Sequence, residues 1–119
     1  MESILTSIKK LLGITEEYTQ FDADIVMHIN TVFLNLSQIG VGPEEGFAIE
    51  DESDEWTSFL PSTHKLFEAV KSYVYLKVRL LFDPPINTAV IESINRNISE
   101  IEWRLNVAAE SINEGGNSK

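Results

Sequence analysis

Two histidines and one dense run of carboxylates are the residues of this chain best equipped for chemistry. His28 and His64 could ligate a metal or carry protons near neutral pH. Neither has a partner at metal-ligand spacing, and no HExxH occurs. The simpler reading is two ordinary surface or edge histidines. The run "EEGFAIEDESDE" supplies Glu44, Glu45, Glu50, Asp51, Glu52, Asp54 and Glu55, with no Lys or Arg among them. Paired carboxylates could do acid–base work or hold a hard cation. "DESDEW" opens like a calcium loop but lacks the glycine at the sixth position and the bidentate Glu at the twelfth. The run is most simply a solvated acidic loop. GxSxG, the P-loop and GxGxxG are missing as well. The residues give no positive argument for an enzyme, a cofactor or a metal, and a small hydrolase built on 50–55 is the weakest of the readings.

Composition bounds the rest. The chain has 119 residues, enough for one small domain with a modest core. Its formal net charge of −10 argues against sequence-wide affinity for DNA or anionic lipid. It has no cysteine, so disulfides and thiolate metal sites are excluded. The opening "MESILTSIKKLLG" does not read as a signal peptide. No stretch approaches the ~18 apolar residues of a membrane span. Asn35-Leu36-Ser37 and Asn97-Ile98-Ser99 match the glycosylation pattern but fall inside expected helices of a chain read as cytosolic.

Four helices must position these residues, and the fold class is all-α. The first is expected from Ser3, its N-cap, to Leu12, with Gly13 as the stop and Ile4, Leu5, Ile8, Leu11 and Leu12 on one face. The second is expected to start at Asp22 as N-cap, with Phe21 and Val26 as a hydrophobic staple. Its stripe is Ile25, Ile29, Val32, Leu36 and Ile39, and Gly40, Gly42 and Pro43 end it. Residues 40–61 form a long acidic connector pinned by Phe47 and Ile49. Within it, Ser53 caps one turn that brings Trp56, Phe59 and Leu60 together, and Pro61 closes that turn. The third helix, Ser62 to Phe82, has a wide apolar arc that includes Leu66, Phe67, Val70, Tyr73, Val74, Val78, Leu80 and Leu81, so it is expected to be central. Lys77 lies in the arc, its stem packed and its ammonium reaching outward. Asp83-Pro84-Pro85 stops this helix sharply. Asn87 or Thr88 caps the fourth, whose seam is Ile91, Ile94, Ile98, Ile101, Leu105, Ala108 and Ile112. The last two helices form an antiparallel αα-hairpin. The domain spans 1–112, and 113–119 is read as a flexible tail.

Filling that core leaves apolar side chains over. Met27 and Leu34 on the second helix, Tyr75 and Phe82 on the third, and Trp103 and Val107 on the fourth lie off the core stripes. They are buried on a second side of the bundle or meet other subunits. Pro84 and Pro85 present a rigid corner that could join such a contact.

The order of "SIKKLLGI", "FDADIVMHINTVFLNLSQIGVG", the F-x-I…W…FL connector, "RLLFDPP" and "IEWRL" resembles the small all-helical head–tail adaptor (connector) proteins of long-tailed bacteriophages. The resemblance covers nearly the whole chain. It implies a virion structural protein without catalysis, assembled in the host cytoplasm as a homo-oligomeric ring of about twelve copies. That ring would sit between the portal protein and the next neck, stopper or tail-completion protein. It would extend a channel through which DNA passes without sequence-specific binding and without any membrane partner. The carboxylates of 44–55 would line the channel or meet the next ring, and the tail would order on the portal. The alternative is a soluble acidic helical interaction module, for example an inhibitor that mimics DNA charge. Mimicry wants carboxylates along a rigid face, whereas here they cluster in one loop.

Overall fold

Ser3 begins the first helix as its spacing predicts. Its Oγ accepts the Thr6 amide at 3.2 Å, and α1 runs Ile4–Leu11. In this computed structural model, which describes residues 2–117 and side chains through Glu110, the further elements are α2 (Asp22–Ile39), α3 (Trp56–Phe59), α4 (Phe67–Phe82) and α5 (Thr88–Asn117). The described chain is all-α. Its only β-type pairing among the described residues is an isolated bridge between Ser3 and Glu55. Ile112 and the expected tail 113–119 lie outside the residues whose side chains are described.

The start of α2 departs from expectation. Phe21, not Asp22, occupies the N-cap position, and no side chain caps it. The Asp22 carboxylate turns instead to Lys9 Nζ, 2.8 Å away. An ion pair to a buried ammonium outweighs the hydrogen bond a cap would make. Phe21 likewise packs on the rings of Tyr18 and Phe82, at 5.6 and 5.4 Å, rather than simply stapling onto Val26. Ile25, Ile29, Val32 and Leu36 are fully buried as their spacing requires, with Ile39 half-buried. Phe33, outside that stripe, is buried too, because the connector folds over it: Phe47 and Phe59 pack on its ring at 5.0 and 4.6 Å. Each such side chain contributes roughly 1.5–3 kcal/mol on leaving water.

Gly40 ends α2 with φ +100, the left-handed stop its position implies. Gly42 is more constrained. Its φ is +97, and a Cβ there would overlap the Phe59 ring. Gly42→Ala is therefore expected to lower stability by about 2–3 kcal/mol in urea unfolding, through backbone strain and overpacking together.

α4 starts at Phe67, not Ser62. Residues 61–66 form two successive turns, with the amide of His64 bonded to Pro61 O and that of Phe67 to His64 O, both at 3.0 Å. His64 Nδ1 accepts the Leu66 amide at 3.1 Å, so the imidazole competes with the first helical turn. Ser53 does not cap α3. Glu55 holds that position without a side-chain bond, while the Ser53 amide and hydroxyl both turn to Asp51.

α4 packs against both α2 and α5. Val70, Tyr73, Val74 and Val78 are its buried residues, and Leu81, placed in the arc by its spacing, is exposed beside the chain reversal. Asp83 closes the helix, and Asn87 Oδ1 caps α5 through the Ala89 amide at 2.8 Å. The pairing is antiparallel. The Tyr73 hydroxyl donates to Glu102 at 2.7 Å, and Lys77 Nζ lies 3.9 Å from the same carboxylate and 5.6 Å from the Tyr73 ring. Burial, then the Glu102 partner, pushes the Tyr73 phenol well above its usual range, so it stays a neutral donor. On α5, Ile94, Ile98 and Leu105 are buried, Ile91 and Ile101 are half-buried, and Ala109 is the better-buried of the two consecutive alanines.

Candidate interaction surfaces

The acidic connector is built on fixed points rather than hanging free. Asn30, inside α2, clamps Ile49 from both sides. Its Nδ2 donates to Ile49 O at 3.0 Å and its Oδ1 accepts the Ile49 amide at 2.8 Å. One amide side chain thus does what a neighbouring strand would do. Further on, the Ile4 amide donates to Asp54 O at 3.0 Å, and the Trp56 amide to Glu2 O at 3.2 Å. The Trp56 indole is buried and donates to Ser7 Oγ at 2.8 Å. A run read from sequence as a solvated loop is therefore seated on α1 and α2.

Its carboxylates divide into two sets. Asp54 Oδ2 accepts the Glu50 amide at 2.7 Å, and Asp51 Oδ1 accepts from Ser53, so these two carboxylates shape the loop. Glu44, Glu45, Glu50 and Glu52 are exposed, Glu55 is half-exposed, and none has an ion-pair partner among the described residues. The Ser53 hydroxyl, and next its amide, hold the Asp51 carboxyl below the usual carboxylate range. A lowered folded pKa contributes order that is present above the ordinary value near 4 and lost as pH falls through the folded value. The Ser53 amide is expected to lose hydrogen-exchange protection below that point, and Asp51→Asn to remove this pH dependence.

His28 is half-buried on α2 with its ring 6.4 Å from Phe82, and His64 serves the turn before α4. Among the described residues no three His, Asp or Glu side chains converge on a point that could hold a metal ion. Among the described residues, open clefts of about 430 Å³ beside Gly40–Glu44 and about 420 Å³ beside Lys71 and Tyr75 lie on the surface.

The leftover apolar residues separate into three groups. Met27 and Leu34 stand two turns apart on the outer face of α2, 58% and 59% exposed. Trp103 and Val107 stand one turn apart on α5, 66% and 45% exposed. Tyr75 and Phe82, read from spacing as lying on the polar back of their helix, are instead half-buried. The Tyr75 hydroxyl accepts from Arg79 at 3.2 Å, and Phe82 packs on Phe21. At the hairpin turn Pro84 is exposed and Pro85 half-exposed. Sequence reasoning missed Ile86, the most exposed large apolar residue described, together with Leu11, Tyr18, Phe21, Leu81 and Val90. The two prolines preceding Ile86 were the available signal, since they leave the next side chain no helix to fold against.

The described residues form a small helical bundle with a seated acidic connector and exposed aromatic and aliphatic side chains on α2, α5 and the hairpin turn. A family model, the phage connector protein, matches residues 4–111. The chain belongs to the phage connector protein family. The match runs from the first residue of α1 through most of α5, so α1 to α4 lie wholly within the connector unit. A comparison with curated proteins and another with solved structures returned no match. As a phage connector protein the chain is a structural component of the virion at the head–tail junction, acting through contacts with other head and tail proteins. No described helix is long and apolar enough to cross a membrane.

Proposed function

We propose that copies of this connector close into a ring between the portal and the next neck or tail-completion protein, extending the channel for DNA. The observation that carries this reading is the exposure of Met27, Leu34, Trp103 and Val107 on two different helices. Large apolar side chains left exposed on two helices suit a heterologous contact, in which one patch of a subunit meets a different patch of the next and the series closes. The net charge of −10 supports passage of DNA without retention, because the wall offers few cations to replace phosphate counterions. The free carboxylates of the connector segment, fixed by Asn30 and α1, would then face the lumen or the neighbouring ring.

Native mass spectrometry of the pure protein, alone and mixed with the cognate portal, tests this directly. A closed ring, or a portal carrying many copies, supports the reading and gives the stoichiometry. A monomer that ignores the portal overturns it.

A further inference from the structure

One end of the bundle carries an aromatic cluster distinct from Met27, Leu34, Trp103 and Val107. There α4 ends against the start of α2. Phe82 meets the Phe21 ring at 5.4 Å and the His28 ring at 6.4 Å, and Tyr18 lies 5.6 Å from Phe21. Tyr18 and Phe21 remain 45% and 37% exposed. The hairpin turn at the same end adds Leu81, Ile86 and Val90, with Ile86 wholly in solvent. Aromatic and aliphatic groups gathered this way, on rigid backbone, are the composition of an interface centre.

The exposed charge on the segments that build the cluster is acidic. Residues 11–64 and 80–95, which supply every side chain just named, contain no Lys or Arg. Glu17, Asp24, Asp83 and Glu92 are exposed on the same two segments. The Asp22 carboxylate is taken up by Lys9, and Arg79, one turn back on α4, donates to Tyr75. A second copy docking here through the same end would set these four exposed carboxylates against their counterparts, and of the two cations just named only the half-buried Arg79 of each copy is not already paired with a carboxylate. A partner that sets Lys or Arg around apolar anchors gains both burial and attraction.

We infer that this end of the connector docks a basic amphipathic segment of another head–tail protein, whose apolar side chains seat on Phe21, Phe82 and Ile86 and whose cations face Asp24 and Asp83. The inference rests on the connector reading for the class of partner. It adds the surface and the chemistry that surface recognises.

The experiment uses the full chain with two purified probes, the portal protein and the protein that follows in the neck. Ile86→Ala with Val90→Ala removes the anchor from exposed positions, so the fold, checked by circular dichroism, is retained. Asp24→Asn with Asp83→Asn removes charge at constant size. The expected result is a loss of at least tenfold in affinity for one probe with the first variant. With the second, a flatter dependence of that affinity on salt is expected. Unchanged affinity and unchanged salt dependence for both probes overturn the inference while leaving the connector reading in place. Wild-type chain that binds neither probe overturns both. Variants that lose self-association but keep both probes assign the surface to a second copy and overturn the inference as well.

Discussion

Lys9→Ala should lower the free energy of unfolding by about 3–5 kcal/mol, the largest effect expected of any single polar residue in this chain. Lys9 is 2% exposed, on the inner side of an eight-residue helix. Its ammonium donates to the carbonyls of Glu16 and Tyr18 at 3.1 and 2.8 Å and lies 2.8 Å from the Asp22 carboxylate. Two carbonyls accept from the ammonium and a carboxylate lies at ion-pair distance, so the buried charge is compensated. Removing it strands two carbonyls and leaves a carboxylate without its partner. The segment 13–21 then keeps its backbone bonds to Lys9 O and Lys10 O but loses the side chain that ties residues 16–22 to α1. Lys9→Ala combined with Asp22→Asn should recover part of the loss, because it removes the stranded charge. Equilibrium urea unfolding of the single and double variants measures both effects. A single variant within about 1 kcal/mol of wild type would mean that water replaces the ammonium without penalty.

Trp103→Asp should leave the monomer intact and abolish assembly. The side chain is 66% exposed, so folding stability should shift by no more than about 0.5 kcal/mol. An exposed tryptophan at the centre of a contact contributes about 2 kcal/mol or more, roughly thirtyfold in each pairwise constant. A closed ring repeats that loss at every contact, so the population of complete rings falls far more steeply than any one constant. Leu34→Asp, on the outer face of α2, tests the second face in the same way. Sedimentation velocity at matched concentrations reads both. Assembly by Trp103→Asp at the wild-type concentration would remove α5 from the subunit contact.

The helices and most of their core were legible because hydrophobic periodicity and end signals agreed. Ser3, Gly40 and Asn87 each combine the right residue type with a position at the edge of an apolar stripe, and each acts as that combination implies. What escaped involves side chains that reach across the fold. Nothing local marks Lys9 as buried, because its acceptors lie seven to thirteen residues away on a connecting segment. Asp22 looked like a cap for the same reason: the ammonium that recruits it is invisible along the chain. Phe33 sits off the α2 stripe and becomes core only when Phe47 and Phe59 arrive from the connector. Of the candidate surfaces, Met27, Leu34, Trp103 and Val107 could be placed by helical spacing. The aromatic end could not, since Phe82 reaches the local Tyr18–Phe21 pair only through the packing of α2 on α4.

The seating of the connector also sets an order of events. Glu2, Ile4 and Ser7 make their bonds with Asp54 and Trp56, about fifty positions further along the chain. Such contacts cannot form until a long loop has closed, and loop closure is slow to be rewarded. These bonds, unlike those of Lys9 to residues 16–22, are therefore expected to form late in folding. The same dependence holds in reverse. Opening at residues 54–56 frees α1, and fraying of α1 frees the acidic run, so the two should exchange their amide protons with one common opening free energy, as a single cooperative unit. A partner that grips the carboxylates of this segment would tighten the N-terminal helix some fifty residues before them in sequence.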